Sequence, residues 1–268
     1  MANTYFTSND IEIKNRAFLV GDAVQVSFFI RNSQLILAEE CYFFLMASMR
    51  KMRMDIPLSY TLEFFQHLFS EKLIISEKIN NAIVRFIVYR NATNQSLAKA
   101  PVSYYFDYEL MDDVLALNGN QELDLIKEIN VNNNLLSNIK VHCPENIYAE
   151  IYAKENDLDD VILLNPNKRV ARTIFGNLLF LEGNTIKVPK LTEGAYISPL
   201  LESFVTFVHK NSLAEILERE IIAFETQKAD EILLISDEKG ISTVSKIRNK
   251  TFPNTKFTEL VEQWKQSF

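Results

Sequence analysis

Lys140 is the residue of this sequence best placed for covalent chemistry. It lies near the start of residues 135–177, whose pattern predicts a helix, a short apolar strand, a turn and a second strand. A lysine just before such a unit is a candidate anchor for a covalently bound cofactor. The alternative is a solvated lysine at a strand end, and spacing alone favours that alternative.

His142 and Cys143 are neighbours directly after this lysine. An adjacent imidazole and thiol can form a reactive pair, but two ordinary side chains near a helix start are the simpler interpretation. The chain has two cysteines and three histidines, without the spacing of metal ligands. The sequence therefore predicts no zinc or other metal site.

Composition sets the class of protein. The chain has 268 residues, 47% of them hydrophobic, which is enough for two modest domains with packed cores. A net charge of −7 does not attract a phosphate backbone, so nucleic-acid binding is not expected. No signal peptide and no apolar run of roughly 20 residues is visible, which favours a cytoplasmic protein that does not cross a membrane.

The alternation of apolar and polar residues divides the chain into two domains, residues 1–111 and 122–268, with residues 112–121 as a polar linker. The second domain contains the candidate lysine. The patterns predict a hairpin over 28–37, helices over 38–54 and 60–71, and strands over 82–90 and 102–110. Farther on, they predict a hairpin over 178–188, helical segments over 198–210, 214–221 and 258–268, and a strand over 231–236.

Four segments match the motifs of one family in order. Residues 15–24 (NRAFLVGDAV) are similar to N-R-G-F-x-Y-G-D-G-V, and residues 140–177 follow as the lysine segment. Residues 188–194 (VPKLTEG) are similar to T-P-x-L-x-x-G, and Ala229-Asp230-Glu231 with Gly240-Ile241 adds a fourth match. The chain resembles the class IV aminotransferases, the pyridoxal-phosphate proteins of fold type IV. These include branched-chain and D-amino-acid aminotransferases and aminodeoxychorismate lyase.

The resemblance implies an α+β, two-domain fold of the D-amino-acid aminotransferase type, with pyridoxal 5'-phosphate between the domains of a homodimer. The substrate would be an amino acid or a chorismate-like small molecule. Lys140 would be the catalytic Schiff-base lysine. A carboxylate would keep the pyridine nitrogen protonated, and an arginine with helix-start amides would hold the phosphate. The positions that match cofactor contacts are Arg172, Asn177, Ser236, Gly240 and Ile241.

Two of these requirements are not met by the matching residues. Phe44 stands where the family has its phosphate-binding arginine, and Arg172 stands where it has the pyridine carboxylate. A phenyl ring cannot bond a phosphate, and a guanidinium beside the ring nitrogen opposes its protonation. Arg50, Arg53 or Arg85 would have to replace the missing arginine.

Further departures lie at Val20, at Val188, at the helix start 198–201 (SPLL) and at the strand end Ile235-Ser236. The residues that are kept serve mostly turns and packing, whereas those that differ are mostly cofactor contacts. Two hypotheses follow. One is a pseudoenzyme that retains the scaffold without the cofactor. The other is an active aminotransferase or lyase that uses Lys140, with Arg172 as the ring-nitrogen partner. The departures favour the first.

Overall fold

The computed structural model describes residues 4–9, 14–92 and 100–268. The chain divides into two compact units. The first comprises Met1–Val114 with Ile139–His142, and the second comprises Leu115–Asn138 with Cys143–Phe268. Residues 115–121 of the expected linker therefore lie in the second unit, and Lys140 lies in the first, because the backbone at residue 140 bonds to a strand of that unit.

The first unit is built on an antiparallel sheet of five strands in the order β1-β5-β4-β2-β3. Its elements, in chain order, are β1 (Phe6–Thr7), α1 (Arg16–Val20), β2 (Ala23–Arg31), β3 (Gln34–Ile36), α2 (Ala38–Lys51), α3 (Leu62–Phe69), β4 (Ala82–Arg90) and β5 (Val102–Leu110). The predicted strands over 82–90 and 102–110 are confirmed. The hairpin over 28–37 is confirmed as well.

Phenyl rings form the core of the first unit. The rings of Phe28 and Phe69 lie 4.8 Å apart between centroids, and those of Phe65 and Phe86 lie 5.3 Å apart. Alternate residues of a strand face the same side, so β2 and β4 present their rings to the helices. Thr61 begins α3 by accepting a hydrogen bond from the Phe64 backbone nitrogen.

The second unit contains a nine-stranded sheet in the order β11-β10-β9-β12-β13-β6-β7-β8, with β14 paired to β13. Its elements, in chain order, are β6 (Leu117–Leu125), α4 (Pro144–Glu155), β7 (Asp160–Leu164), β8 (Val170–Thr173), β9 (Asn177–Glu182), β10 (Thr185–Pro189), α5 (Pro199–Lys210), β11 (Glu215–Arg219), β12 (Glu231–Ser236), β13 (Gly240–Ile247), β14 (Lys250–Thr251) and α6 (Thr255–Gln266). The predicted hairpin over 178–188 and strand over 231–236 are confirmed.

The helical prediction for residues 214–221 is wrong. Residues Glu215–Arg219 form β11, which pairs in parallel with β10 from Thr185↔Glu215 to Pro189↔Arg219. This strand lies at the edge of the sheet and is largely exposed, so its side chains do not alternate clearly between core and solvent. The sheet partner, which lies far away in sequence, decides its structure.

The buried strands of the second unit are packed against other side chains on both faces. Ile162 of β7 belongs to one apolar cluster, whereas its neighbours Val161 and Leu163 belong to another with Ala149 and Ala153 of α4. Apolar residues on both faces explain the continuous apolar runs in the sequence. In the described ranges, no helix is long and apolar enough to span a membrane.

Candidate functional site

Lys140 is held by its backbone in the first unit. The backbone nitrogen of Gln25 in β2 donates a hydrogen bond to the carbonyl oxygen of Lys140 at 2.9 Å, and the two residues form an antiparallel bridge. The residue before the lysine, Ile139, is buried. The position of residue 140 is therefore fixed by the sheet of the first unit.

The motif at residues 15–24 has a structural role in the first unit. The Asn15 side chain caps α1 by accepting a hydrogen bond from the Ala17 backbone nitrogen at 2.8 Å. The buried Asp22 carboxylate binds Arg16 Nε at 2.9 Å and the guanidinium of Arg90. These contacts close a turn, which explains why the motif persists in a chain whose expected cofactor contacts differ.

Phe44, at the position of the expected phosphate-binding arginine, is 7% exposed and belongs to the apolar core. Arg85, one of the three possible replacements, binds the Asp107 carboxylate through Nε at 2.9 Å and through Nη2. The hydrogen bonds with Asp107 raise the pKa of the Arg85 guanidinium above its ordinary value. The charge of Arg85 is thus already neutralised by a partner within its own unit.

Arg172 lies in β8 of the second unit and is 3% exposed. Its Nη1 donates to the carbonyl oxygen of Thr173 at 2.9 Å, and its Nη2 lies 3.7 Å from the sulfur of Cys143. The guanidinium carbon stands 4.2 Å from the centroid of the Tyr196 ring, a cation–π contact. Within the described part of the chain, Arg172 Nε has no hydrogen-bond acceptor.

Asn177 positions the tyrosine beneath this guanidinium. Its Oδ1 accepts from the backbone nitrogen of Tyr196, and its Nδ2 donates to the carbonyl oxygen of the same residue, both at 2.9 Å. Asn146 Nδ2 donates to the phenol oxygen of Tyr196 at 2.9 Å. The structure therefore brings Arg172 and Asn177 together through Tyr196, a residue that no sequence pattern had singled out.

Cys143 is not an activated thiol. Its sulfur donates to Glu145 Oε2 at 3.2 Å, and burial is the main reason that its pKa is raised above the ordinary value. A raised pKa keeps the thiol protonated and weakly nucleophilic at neutral pH. The thiol thus has the Glu145 carboxylate as its acceptor, and the interpretation of His142 and Cys143 as ordinary side chains stays a prediction.

Ser236, Gly240 and Ile241 belong to the β12–β13 hairpin. Ser236 pairs with Gly240, and Ile235 pairs with Ile241, across the two strands. The Ser236 hydroxyl donates to the carbonyl oxygen of Phe175 at 2.8 Å and accepts from the backbone nitrogens of Glu238 and Lys239. Gly240 has a φ of +78°, which favours glycine. The hydrogen bonds of Ser236 are typical of a turn between two paired strands.

Asp237, in the same hairpin, occupies the start of α5. Its Oδ1 accepts the Ser198 hydroxyl at 2.6 Å and the Leu200 backbone nitrogen at 3.3 Å, and the residue is 7% exposed. The Ser198 oxygen accepts from the Leu201 nitrogen at 3.2 Å, and Pro199 has no N–H. The donors of this first turn are therefore engaged within the protein.

Sequence reasoning missed Asp237. The only available signal was an acidic residue directly after the strand end Ile235-Ser236. Nothing in the sequence relates that position to Ser198, which lies 39 residues away along the chain. The β12–β13 hairpin brings Asp237 next to Ser198.

The comparisons with known proteins give the family. The model of the amino-transferase class IV family matches residues 29–247, most of the chain, and the chain belongs to this family. Its architecture is that of the two-domain, fold type IV pyridoxal-phosphate aminotransferases. No curated protein matches the sequence.

Three solved structures illustrate the similarity. A provisionally named 4-amino-4-deoxychorismate lyase from Legionella pneumophila superposes with a TM-score of 0.85 at 18% identity, covering 97% of this chain and 96% of that one. A branched-chain aminotransferase from Thermoproteus uzoniensis with norvaline gives 0.87 at 15% identity, covering 98% and 93%. A hypothetical aminotransferase from Mycobacterium tuberculosis in its PLP-bound form gives 0.81 at 14% identity, covering 96% and 93%. At these identities, the likeness concerns the fold.

Proposed function

We propose that this protein is a pseudoenzyme of the class IV aminotransferase family, which binds a small organic molecule or a partner without pyridoxal phosphate. The Asp237 carboxylate at the start of α5 carries the proposal. The family resemblance places the phosphate-binding amides at this helix start. We infer that the residues present do not fit the cofactor.

Electrostatic repulsion opposes the cofactor at its phosphate end. A phosphate dianion beside the buried Asp237 carboxylate is repelled, and the first-turn donors of α5 already bond Asp237 and Ser198. The expected arginine is absent as well, since Phe44 lies in the core. Each charge-assisted hydrogen bond that is lost weakens binding by about 1.5–3 kcal/mol, or roughly one to two decades of affinity.

At the other end of the cofactor, the ring nitrogen needs a negatively charged partner. A pyridine ring withdraws electrons most strongly when its nitrogen is protonated, and a carboxylate stabilises that proton. Arg172 offers a permanent positive charge instead, because a guanidinium is not deprotonated in proteins. The two ends thus have the opposite charges to those that the cofactor requires.

An active pyridoxal-phosphate enzyme is the second candidate. It is supported by Lys140, which matches the family's lysine and has a fixed backbone, and by the retained Asn177. The superposition on a PLP-bound protein supports it as well. In this reading, Arg172 is the ring-nitrogen partner and the substrate is an amino acid or an aminodeoxychorismate-like acid.

We further propose that the protein is a homodimer. The resemblance implies this state, and α4 carries three apolar side chains that are about half exposed, Ile147, Tyr148 and Ile151. Residues i, i+1 and i+4 lie on one side of a helix, so they form a continuous apolar patch. Such a patch is typical of a surface that another protein covers.

Binding of the cofactor distinguishes the two candidate functions. Purified wild-type protein and Lys140→Ala are incubated with pyridoxal phosphate, dialysed, reduced with borohydride and weighed by mass spectrometry. The proposal expects no yellow colour and no mass increase in either protein. A stoichiometric adduct on Lys140 in the wild type, absent from Lys140→Ala, would contradict it and support the enzyme.

A further inference from the structure

Arg172 is a buried positive charge, and no ion pair joins it to a carboxylate of residues 4–9, 14–92 or 100–268. It is 3% exposed, and its recorded neighbours are a carbonyl oxygen, a thiol and an aromatic ring. No carboxylate in the described ranges forms an ion pair with it. Since a guanidinium cannot lose its proton, burial without a counter-ion is unfavourable. A counter-ion is therefore expected.

One edge of the guanidinium is poorly satisfied by the described residues. Nη1 bonds the carbonyl oxygen of Thr173 at 2.9 Å, whereas Nε has no acceptor among those residues and Nη2 has the Cys143 sulfur at 3.7 Å. The Nε–Nη2 edge presents two parallel N–H groups. Their spacing matches the two oxygens of a carboxylate.

Two other arginines of this chain use the same edge in that manner. Arg31 binds Asp113 through Nε at 2.9 Å and Nη2 at 3.1 Å. Arg85 binds Asp107 through the same two nitrogens. At these two arginines a carboxylate occupies this edge, whereas at Arg172 none of the described residues supplies one.

Neither Cys143 nor Glu145 provides the missing charge. Burial raises the pKa of the Cys143 thiol, so the sulfur is neutral at pH 7. The Glu145 carboxylate accepts the thiol proton at 3.2 Å and forms no ion pair with Arg172 in the described ranges. Cys143 is half-buried and makes the longer of the two hydrogen bonds of Arg172, so it is the group that a ligand would displace from Nη2.

The aromatic ring beside Arg172 is held in place by hydrogen bonds. Tyr196 lies under the guanidinium, and its backbone is held on both sides by Asn177. Asn146 holds the phenol oxygen, and its own Oδ1 is a second buried polar atom without a partner in the described ranges. Of these two atoms, Arg172 Nε is the donor, so it is the one that an oxygen of a bound carboxylate can satisfy.

We propose that the Nε–Nη2 edge of Arg172 binds a small organic carboxylate that comes from solution. This deepens the proposed function, on which it rests, by naming the chemical class of the ligand. The carboxylate accepts two N–H bonds from Arg172, lies beside Tyr196 and replaces the sulfur of Cys143. The buried charge is thereby neutralised.

The test is thermal unfolding of the full chain in sodium acetate and in sodium chloride of equal ionic strength, without pyridoxal phosphate. Acetate at tens of millimolar is expected to raise the Tm of the wild type by roughly 2–5 °C relative to chloride. Arg172→Lys keeps the charge but loses the paired N–H edge, so it should give a smaller shift. Cys143→Ala removes the competing sulfur and should give a larger one.

Arg172→Met separates a binding role from a structural one. It should abolish the acetate shift while keeping or raising the Tm in chloride, since an unpaired buried charge has been removed. Arg31→Met, which removes an arginine already paired with Asp113, is the matched control and should keep the wild-type shift. No acetate shift in the wild type, or an equal shift in Arg172→Met, would overturn the proposal. Because no cofactor is present, this result is independent of the pyridoxal-phosphate assay.

Discussion

The Oδ1 atom of Asp237 lies 2.6 Å from the hydroxyl oxygen of Ser198. The hairpin between β12 and β13 thereby inserts a negative charge at the N-terminus of α5, where the helix dipole attracts anions. A charge of this sign at a helix start stabilises the helix. The same charge competes with any anionic ligand at that place.

Replacement of Asp237 should therefore have two effects. Asp237→Ala is expected to lower the free energy of unfolding by about 1–2 kcal/mol, because the Leu200 nitrogen and the Ser198 hydroxyl lose their acceptor. In Asp237→Ala, sulfate should also raise the Tm relative to chloride of equal ionic strength. Asp230→Ala is the control, since Asp230 accepts one backbone N–H from a turn glycine, at 2.7 Å, away from any helix start. Equal sulfate effects in the two variants would contradict the prediction.

Restoration of cofactor binding tests the diagnosis at both ends of the site. The combination Phe44→Arg, Arg172→Glu and Asp237→Ala should give a yellow, borohydride-reducible complex with pyridoxal phosphate, because each charge returns to the sign that the cofactor requires. The measurement is the absorbance spectrum after dialysis, with circular dichroism to confirm folding. Since an arginine at the buried position 44 can disturb the core, Arg172→Glu with Asp237→Ala is the second variant. A folded triple variant that stays colourless would show that further positions matter.

Asp160 makes stability depend on pH. Burial raises the pKa of this carboxyl from 3.8 to about 6, although its Oδ1 accepts the backbone nitrogens of Val161 and Ile174. Between about pH 4 and 6 the folded protein binds more protons at this group than the unfolded chain. The stability that Asp160 contributes by binding a proton is therefore complete below about pH 4 and is lost as the pH rises towards 6.

Asp160→Asn should remove this dependence. The amide oxygen can accept the same two backbone hydrogen bonds and cannot ionise, so the variant should lose less stability than the wild type between pH 4 and 6. Urea unfolding across pH 4–8 measures the difference. Asp159→Asn, at the exposed neighbouring position, should keep the wild-type slope. If the unfolding free energy of Asp160→Asn depended on pH as strongly as that of the wild type, the raised pKa of Asp160 would be contradicted.

Gly21 combines a left-handed conformation with a close approach. Its φ is +65°, and a Cβ at this position would lie 2.4 Å from the Cβ of His142. Gly183 has a similar φ of +59° with nothing within 4 Å of such a Cβ. Gly183→Ala should cost about 1–2 kcal/mol of unfolding free energy for its conformation alone. Gly21→Ala should cost clearly more by chemical denaturation, and an equal cost would mean that His142 moves aside freely.

The apolar patch of α4 predicts the oligomeric state. Ile151→Glu places a charge in the middle of the patch and should shift the mass measured by light scattering from dimer towards monomer. Ile75→Glu changes a similarly exposed isoleucine of the first unit and is the control. A wild-type protein that is monomeric at high micromolar concentration would exclude the dimer.

The sequence was informative where local pattern decides structure. The strands over 82–90 and 102–110 were predicted to the residue, because both are rich in the β-branched and aromatic residues that favour strands. It failed at β11 and at the start of β6, where pairing with distant strands outweighs weak local patterns. Such pairings cannot be read from one segment.

For the candidate site, the sequence indicated which side chains differ from the family pattern but not what they contact. Phe44 and Arg172 were recognised by their positions in motifs. The contact of Asp237 with Ser198, and the stacking of Arg172 on Tyr196, depend on how hairpins and loops converge. Only the folded backbone brings these atoms together.

The return of residues 139–142 to the first unit affects the order of folding. The Gln25 nitrogen of β2 finds its acceptor at Lys140, and Gly21 packs against His142, so the first unit lacks these contacts until the chain has been synthesised beyond residue 142. During translation, that part of β2 stays uncovered while a portion of the second unit already emerges. A fragment ending at Val114 would keep the exposed strand edge permanently and should associate with other chains through it.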